Sequence, residues 1–134
     1  AICSIINFPV LNEIYYVEKG RGVWADGNSR NRGRLRVSGA SYLDKSLVAV
    51  DHFSIDSISA RNIRVFGSHC YAMQMFAAGK VDAVYFSSLS DILRAGFDLI
   101  VRESGGVVIS NDEQKFVATN YELAEKFRPI IARK

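Results

Sequence analysis

The sequence predicts an α/β fold, a layered sheet flanked by helices, in a single domain over residues 1–134. Short apolar or alternating segments, which are typical of strands, alternate along the chain with segments in which apolar residues recur at helical spacing. Glycine-containing turns separate these segments. Of the 134 residues, 49% are hydrophobic, so the length and the apolar content suit one ordinary core.

The first half of the chain is predicted to consist mainly of strands. Their pattern places them at residues 2–7, 13–18, 23–25, 35–38, 47–50 and 63–66. The Lys-Gly-Arg-Gly segment at 19–22 and the Asp-Gly pair at 26–27 mark turns between the early strands. A helix over residues 54–60, capped by Ser54 or Asp56, is predicted before the last of these strands.

A helix is predicted to begin after Ser68, which suits an N-cap. Its apolar positions at helical spacing are Cys70, Met73 and Ala77. Gly79 ends this helix, because glycine readily takes the left-handed conformation that follows a helix. A further strand is expected at residues 81–86.

Two more helices are predicted towards the end of the chain. Ser90 is the N-cap candidate of the first, and Asn120 can cap the second, which is expected to end at Pro129. Strands are predicted between them at residues 107–109 and 115–119. The stripe predicted to form the buried face of the first helix is Ile92, Ala95, Gly96, Leu99 and Ile100.

Composition and charge argue against several classes of function. No apolar run approaches the roughly 20 residues of a membrane helix, so no membrane partner is expected. Part of the net charge of +3 lies in the basic loop 30–36, which could follow a phosphate backbone. That loop has no aromatic residue for base stacking, so a solvated surface loop is favoured over a nucleic-acid-binding loop. Cys3 and Cys70 lack metal-ligand spacing, which predicts buried free thiols in a reducing cytoplasm.

Six short motifs occur in an order similar to that of one enzyme family. They are Asn-Phe-Pro-Val-Leu-Asn-Glu-Ile-Tyr at 7–15, Gly-Arg-Gly-Val-Trp-Ala-Asp-Gly at 20–27, Arg-Val-Phe-Gly-Ser at 64–68, Ala-Ala-Gly-Lys-Val-Asp-Ala at 77–83, Ile-Val-Arg-Glu-Ser-Gly-Gly at 100–106 and Val-Ala-Thr-Asn at 117–120. Each motif alone is weak. Their order resembles the C-terminal half of the inositol monophosphatase family, the magnesium-dependent sugar-phosphate phosphatases.

The resemblance implies hydrolysis of phosphate monoesters with the help of Mg²⁺ ions that are bound by carboxylates. These ions would activate a water molecule and neutralise the charge of the phosphate. By resemblance, most of these ligands come from an N-terminal half with a glutamate pair and an Asp-Pro-x-Asp-Gly-Thr loop. Neither motif occurs in this sequence, where the Asp-Gly pair at 26–27 lacks the residues on either side. Mg²⁺ is therefore implied by the family alone and is not expected to bind tightly to this chain by itself.

The C-terminal half of the family should add one metal-binding aspartate, in a Trp-Asp pair that opens a helix. Counting without gaps from either Gly67 or Glu103 places that pair at Ile92 and Leu93. Leucine has no oxygen to offer a hard cation, so the ligand is absent. Asp91 is a weak surrogate, because two residues along a helix correspond to about 200° of rotation. A charge at the helix start that pairs with Arg94 accounts for Asp91, although a gap in the preceding loop could restore the register.

The substrate side of the pocket is assigned by resemblance to Gly67, Ser68 and His69. The same count places Phe86 where the family often has a substrate-contacting glutamate. His69 could be a general acid or a phosphate contact at a helix N-terminus, or only a partly exposed polar residue. Gly67 is explained by close backbone approach at a strand-to-helix turn.

The resemblance thus implies the substrate-side wall of a Mg²⁺-dependent phosphomonoesterase, acting on a sugar phosphate or inositol phosphate once an N-terminal half completes it. The isolated chain is expected to be inactive, and Leu93 leaves open whether it is part of an enzyme at all. The alternative is a non-catalytic binding or assembly module, which the apolar residues Ile92, Leu93 and Phe86 favour. A homodimer is a further implication of the family.

Overall fold

The computed structural model describes residues 1–28, 32–51, 62–111 and 115–132. Two sheets and three helices form in these ranges, which confirms the predicted α/β fold. The strands are β1 Cys3–Phe8, β2 Glu13–Glu18, β3 Val23–Gly27, β4 Gly33–Leu35, β5 Leu47–Val50, β6 Asn62–Arg64, β7 Ala83–Phe86, β8 Val107–Asn111 and β9 Phe116–Thr119. The helices are α1 His69–Ala77, α2 Asp91–Glu103 and α3 Tyr121–Ala132. The helix predicted at 54–60 lies outside the described residues.

The first sheet is antiparallel, with the strand order β1-β2-β3-β4. Alternation along its strands buries one face, because successive side chains of a strand point to opposite sides. The buried face packs against α1 and α2, while the opposite face leaves a cross-strand row of Ile5, Tyr16 and Trp24 exposed. β1 lies at an edge of this sheet in the described part of the chain.

The second sheet has the order β6-β5-β7-β9-β8, in which β6, β5 and β7 are parallel. β7 and β9 are buried at every position, because helices cover both faces of this sheet. One face packs on α1 and α2 and the other on α3. The layers therefore run from the first sheet through α1 and α2 to the second sheet and then to α3.

The predicted buried face of α2 is wrong in its first turn. Ile92 is 86% exposed and Ala95 is also exposed, whereas Phe97, Leu99, Ile100 and Val101 are buried. α2 packs between two sheets, so its C-terminal half is buried on more than one side. Its first turn lies beside the edge strand β1, where no described residue covers Ile92.

Two further expectations are corrected. α3 does not end at Pro129 but continues to Ala132. A proline there removes one backbone hydrogen bond, and the packing of Ile131 against the second core cluster holds the last turn. The two thiols are not buried either. Cys3 lies on the outer face of the edge strand β1 and is exposed, while Cys70 is half-buried, and burial raises the pKa of its thiol.

Candidate functional site

A cavity of about 150 Å³ lies where the chain leaves the parallel strands β5 and β6 and enters α1. Ligands commonly bind beyond the carboxyl ends of parallel strands, because loops and helix N-termini meet there. The structure brings the predicted residues Gly67, Ser68 and His69 together at this position. The cavity is lined by these three and by Val50, Asp51, Val65, Phe66, Ala72 and Phe86.

The turn into α1 depends on the backbone conformation of Gly67. Its φ is +72°, a left-handed conformation that L side chains rarely adopt. A Cβ atom at this position would meet no described atom within 4 Å, so no close backbone approach is seen among the described residues. Ser68 then caps α1 as predicted, because its Oγ accepts a hydrogen bond from the backbone N–H of Tyr71 at 3.1 Å.

His69, the first residue of α1, is packed on one side and open on the other. Its imidazole lies against the ring of Phe86, with the ring centroids 4.7 Å apart. Its Nε2 is 3.7 Å from Oδ2 of Asp51, and the side chain is 33% exposed. The imidazole therefore combines a fixed orientation with access to the cavity.

Asp51 is the site residue that the sequence analysis missed. Its side chain is 10% exposed, and its Oδ2 accepts hydrogen bonds from Ser87 N at 2.7 Å, Ser87 Oγ at 2.9 Å and Ser88 N at 3.3 Å. These charge-assisted bonds connect the end of β5 to the loop after β7. A signal was present in the sequence, because an aspartate that directly follows a short apolar strand stands at the carboxyl end of that strand.

The described side chains do not fit a magnesium site. Among residues 1–28, 32–51, 62–111 and 115–132, no group of three or more His, Cys, Asp or Glu side chains could hold a metal ion. Leu93 is half-buried against the core and Asp91 is exposed at the start of α2. Arg94, the predicted partner of Asp91, donates to the carbonyls of Leu89 at 3.0 Å and Lys115 at 3.2 Å.

Phe86 belongs to the hydrophobic core rather than to the polar part of the site. It is 1% exposed, and its ring lies 6.2 Å from that of Phe97 and 6.3 Å from that of Phe116. This aromatic cluster forms the floor of the cavity beneath His69.

Glu103 connects two of the sequence motifs. Its Oε1 accepts hydrogen bonds from Gly22 N at 2.9 Å and Gly20 N at 3.0 Å. These bonds lower the pKa of the Glu103 carboxyl below its ordinary value, the bond from Gly22 having the larger effect. The glutamate of the motif at 100–106 thus connects the end of α2 to the β2–β3 turn through two hydrogen bonds.

Asp82 and Asn120 hold the segment between β4 and β5 in the same way. Asp82 accepts hydrogen bonds from Ser38 Oγ at 2.6 Å and Leu47 N at 2.7 Å. The Asn120 amide donates to the carbonyls of Ser38 at 2.9 Å and Ala40 at 2.7 Å. Its Oδ1 also caps α3, as predicted, by accepting from Leu123 N at 2.8 Å. The polar residues of these motifs therefore support the architecture rather than the cavity.

The basic loop predicted at 30–36 lies partly outside the described residues. Arg32 forms an exposed ion pair with Asp26 at 3.4 Å. None of the described helices is long and apolar enough to cross a membrane.

Comparison with known proteins places these features in a family. The sequence profile of the inositol monophosphatase family matches residues 1–131. The chain is 27% identical to an inositol-1-monophosphatase of Caulobacter vibrioides over 126 residues, covering 84% of this chain and 48% of the relative. It is 31% identical to human inositol monophosphatase 2 over 112 residues, covering 72% of this chain and 37% of the relative.

Solved structures share the fold. Mycobacterium tuberculosis SuhB is similar with a TM-score of 0.84 at 22% identity, over 98% of this chain and 58% of that structure. An inositol monophosphatase from Zymomonas mobilis also has a TM-score of 0.84, at 20% identity, over 97% of this chain and 57% of that structure. The chain spans about half the length of the curated relatives that it matches.

Proposed function

Since the chain belongs to the inositol monophosphatase family, we propose that it supplies the substrate-side wall of a Mg²⁺-dependent phosphomonoesterase. The observation that carries the proposal is the cavity at the start of α1, which Gly67, Ser68 and His69 line together with Asp51. The substrate would be an inositol phosphate or a related sugar phosphate, as the names of the relatives suggest.

The start of α1 is suited to anionic and hydroxyl groups. The first N–H groups of a helix have no partners within the helix, and the helix dipole favours negative charge beside them. The side chain of Ser68 satisfies the N–H of Tyr71, and Gly67, Ser68 and His69 line the cavity beside this helix start. His69 adds an imidazole that can donate or accept a hydrogen bond.

The isolated chain should not catalyse hydrolysis, because its described residues do not supply a set of carboxylates for Mg²⁺. The edge of the first sheet supports the need for a second half. A groove of about 300 Å³ runs between β1 and the first turn of α2, and Ile5, Phe8, Ile92 and Leu93 line it. Such an open edge strand with apolar neighbours can pair with a further strand. A segment with the missing metal ligands would complete both the sheet and the site.

The test measures phosphate release from inositol 1-phosphate, with MgCl₂ and with EDTA. The chain alone is expected to release no more phosphate than buffer, and turnover that EDTA abolishes would refute its inactivity. The chain should then be mixed with the separately expressed N-terminal half of the Caulobacter relative. We expect Mg²⁺-dependent activity to be higher with L93D than with the unchanged chain, since the aspartate restores a ligand. Equal inactivity of both mixtures, with the halves shown to associate, would overturn the wall assignment.

A non-catalytic binding or assembly module is the second candidate. The leucine at the expected ligand position and the burial of Phe86 in an aromatic cluster favour it. Calorimetric titration of the chain with Mg²⁺ and inositol 1-phosphate separates the two proposals. Saturable binding of both would count against a module that has no metal site.

Further predictions about partners and location belong to the same proposal. A homodimer would be detected by sedimentation, and the exposed row of Ile5, Tyr16 and Trp24 offers an apolar surface for it. A cytoplasmic location agrees with two cysteines that are unpaired in the structure. Nucleic-acid binding through residues 30–36 would require an affinity that falls with salt concentration.

A further inference from the structure

We infer that Asp51 recognises the hydroxyl groups of the ligand in this chain, and that it replaces a carboxylate at position 86. The ligand class is a small polyol with adjacent hydroxyls, so the inference rests on the proposed function. The resemblance to the family implies a glutamate at position 86, and here that position is an almost fully buried phenylalanine.

The register of the second sheet places the substitute carboxylate. Val50 on β5 is the parallel partner of Tyr85 on β7. Asp51 and Phe86, each one residue further on, are therefore neighbours on adjacent strands, whose spacing is about 4.8 Å. Both lie on the face that packs towards α1, because His69 contacts both of them. The carboxylate of Asp51 thus lies one strand away from position 86, at the same edge of the cavity.

The surroundings of Asp51 fix its carboxylate in one orientation. The three donors from Ser87 and Ser88 converge on Oδ2 and stabilise the ionised group. A preorganised carboxylate beside a cavity is a strong acceptor for a ligand hydroxyl, because its geometry needs no rearrangement on binding. The same bonds also anchor the loop after β7, so the experiment must separate recognition from anchoring.

The rest of the cavity suits a small polyol. Oδ2 of Asp51 lies 3.7 Å from Nε2 of His69, which places the carboxylate and the imidazole side by side at the cavity. Phe66 and Phe86 offer apolar surface to the C–H groups of a ring. The volume of about 150 Å³ is below the roughly 300–1,000 Å³ of pockets for larger ligands. The cavity therefore fits a single small ring rather than a nucleotide.

The test titrates the 134-residue chain with myo-inositol, and separately with inorganic phosphate, by NMR. We expect myo-inositol to shift the amide resonances of His69, Ser87 and Ser88 saturably. D51N should weaken this binding at least tenfold without weakening the binding of phosphate. S87A, which removes one anchoring bond but keeps the carboxylate, should change it less than threefold. D98N, a matched change at an ion pair on α2, should leave it unaltered.

Two results would overturn the inference: no saturable shift with the unchanged chain, or a folded D51N chain that binds myo-inositol undiminished. If D51N does not fold, the ¹³Cγ resonance of Asp51 in the unchanged chain decides, and a resonance that does not move with myo-inositol overturns the inference. Failure of the proposed function is seen separately, as absent hydrolysis in the mixed-halves assay. Polyol binding that depends on Asp51 would survive that failure.

Discussion

Removing the carboxylate of Glu103 should destabilise the fold through the β2–β3 turn. E103A removes two hydrogen bonds to an ionised group, those from Gly20 and Gly22, and such bonds are worth about 1.5–3 kcal/mol each when buried. Both bonds are at least partly exposed, so water recovers much of that energy. Alanine also relieves an acidic charge at a helix C-terminus, worth about 0.5 kcal/mol. We therefore expect a net loss of about 1–2 kcal/mol.

Urea and thermal unfolding measure this loss. For a chain of 134 residues, a loss of about 1–2 kcal/mol corresponds to a fall in Tm of roughly 4–7 °C. E125A is the matched control, because Glu125 forms an exposed ion pair with Arg128 on α3, and its removal should cost less than about 0.5 kcal/mol. An E103A chain within about 0.5 kcal/mol of the unchanged chain would refute the view that this carboxylate connects the two motifs.

The same carboxylate predicts a pH dependence with a definite sign. The pKa of Glu103 is lower in the folded chain than its ordinary value, so the folded state binds fewer protons there than the unfolded state. Its stabilisation is present above the unfolded pKa and disappears as the pH falls through the folded pKa. The free energy of unfolding of E103Q should therefore decline less than that of the unchanged chain below about pH 5. Parallel declines would contradict the assignment.

Substitutions at four other positions test the architecture by urea unfolding. N120A should cost about 2–3 kcal/mol, because it removes the α3 cap and two bonds to backbone carbonyls; a loss below 1 kcal/mol would contradict this. G67A should cost about 1–2 kcal/mol through backbone strain at φ +72°, without a clash with any described atom, and G67N should cost less. I92D should change stability by under about 0.5 kcal/mol because Ile92 is exposed, whereas F97A should cost about 3–5 kcal/mol. Similar losses in the two variants would instead support the buried stripe that the sequence predicted.

Local interactions explain the elements that the sequence predicted correctly. The limits of β2 and β5 follow from alternation or a short apolar run. The caps at Ser68, Ser90 and Asn120 depend on a side chain that reaches a backbone N–H three residues away. Such signals lie within a few residues of the element that they define.

The buried face of α2 could not be derived in the same way. Helical spacing identifies a stripe of apolar residues, but it does not show that a helix lies between two sheets or that its first turn faces an open edge. Ile92 fits the stripe and is exposed, while Phe97 and Val101 lie outside it and are buried. The packing partners decide which side of a helix is covered.

The sequence by itself determined the α/β fold, the order of its elements and its family, because these follow from local periodicity and from short motifs in a fixed order. Only the tertiary structure decided that Asp51 lies beside His69 and that Glu103 binds a turn more than 80 residues away. Contacts of this kind arise when strands align and helices dock. Their geometry is set by packing across the whole domain, which no stretch of neighbouring residues specifies.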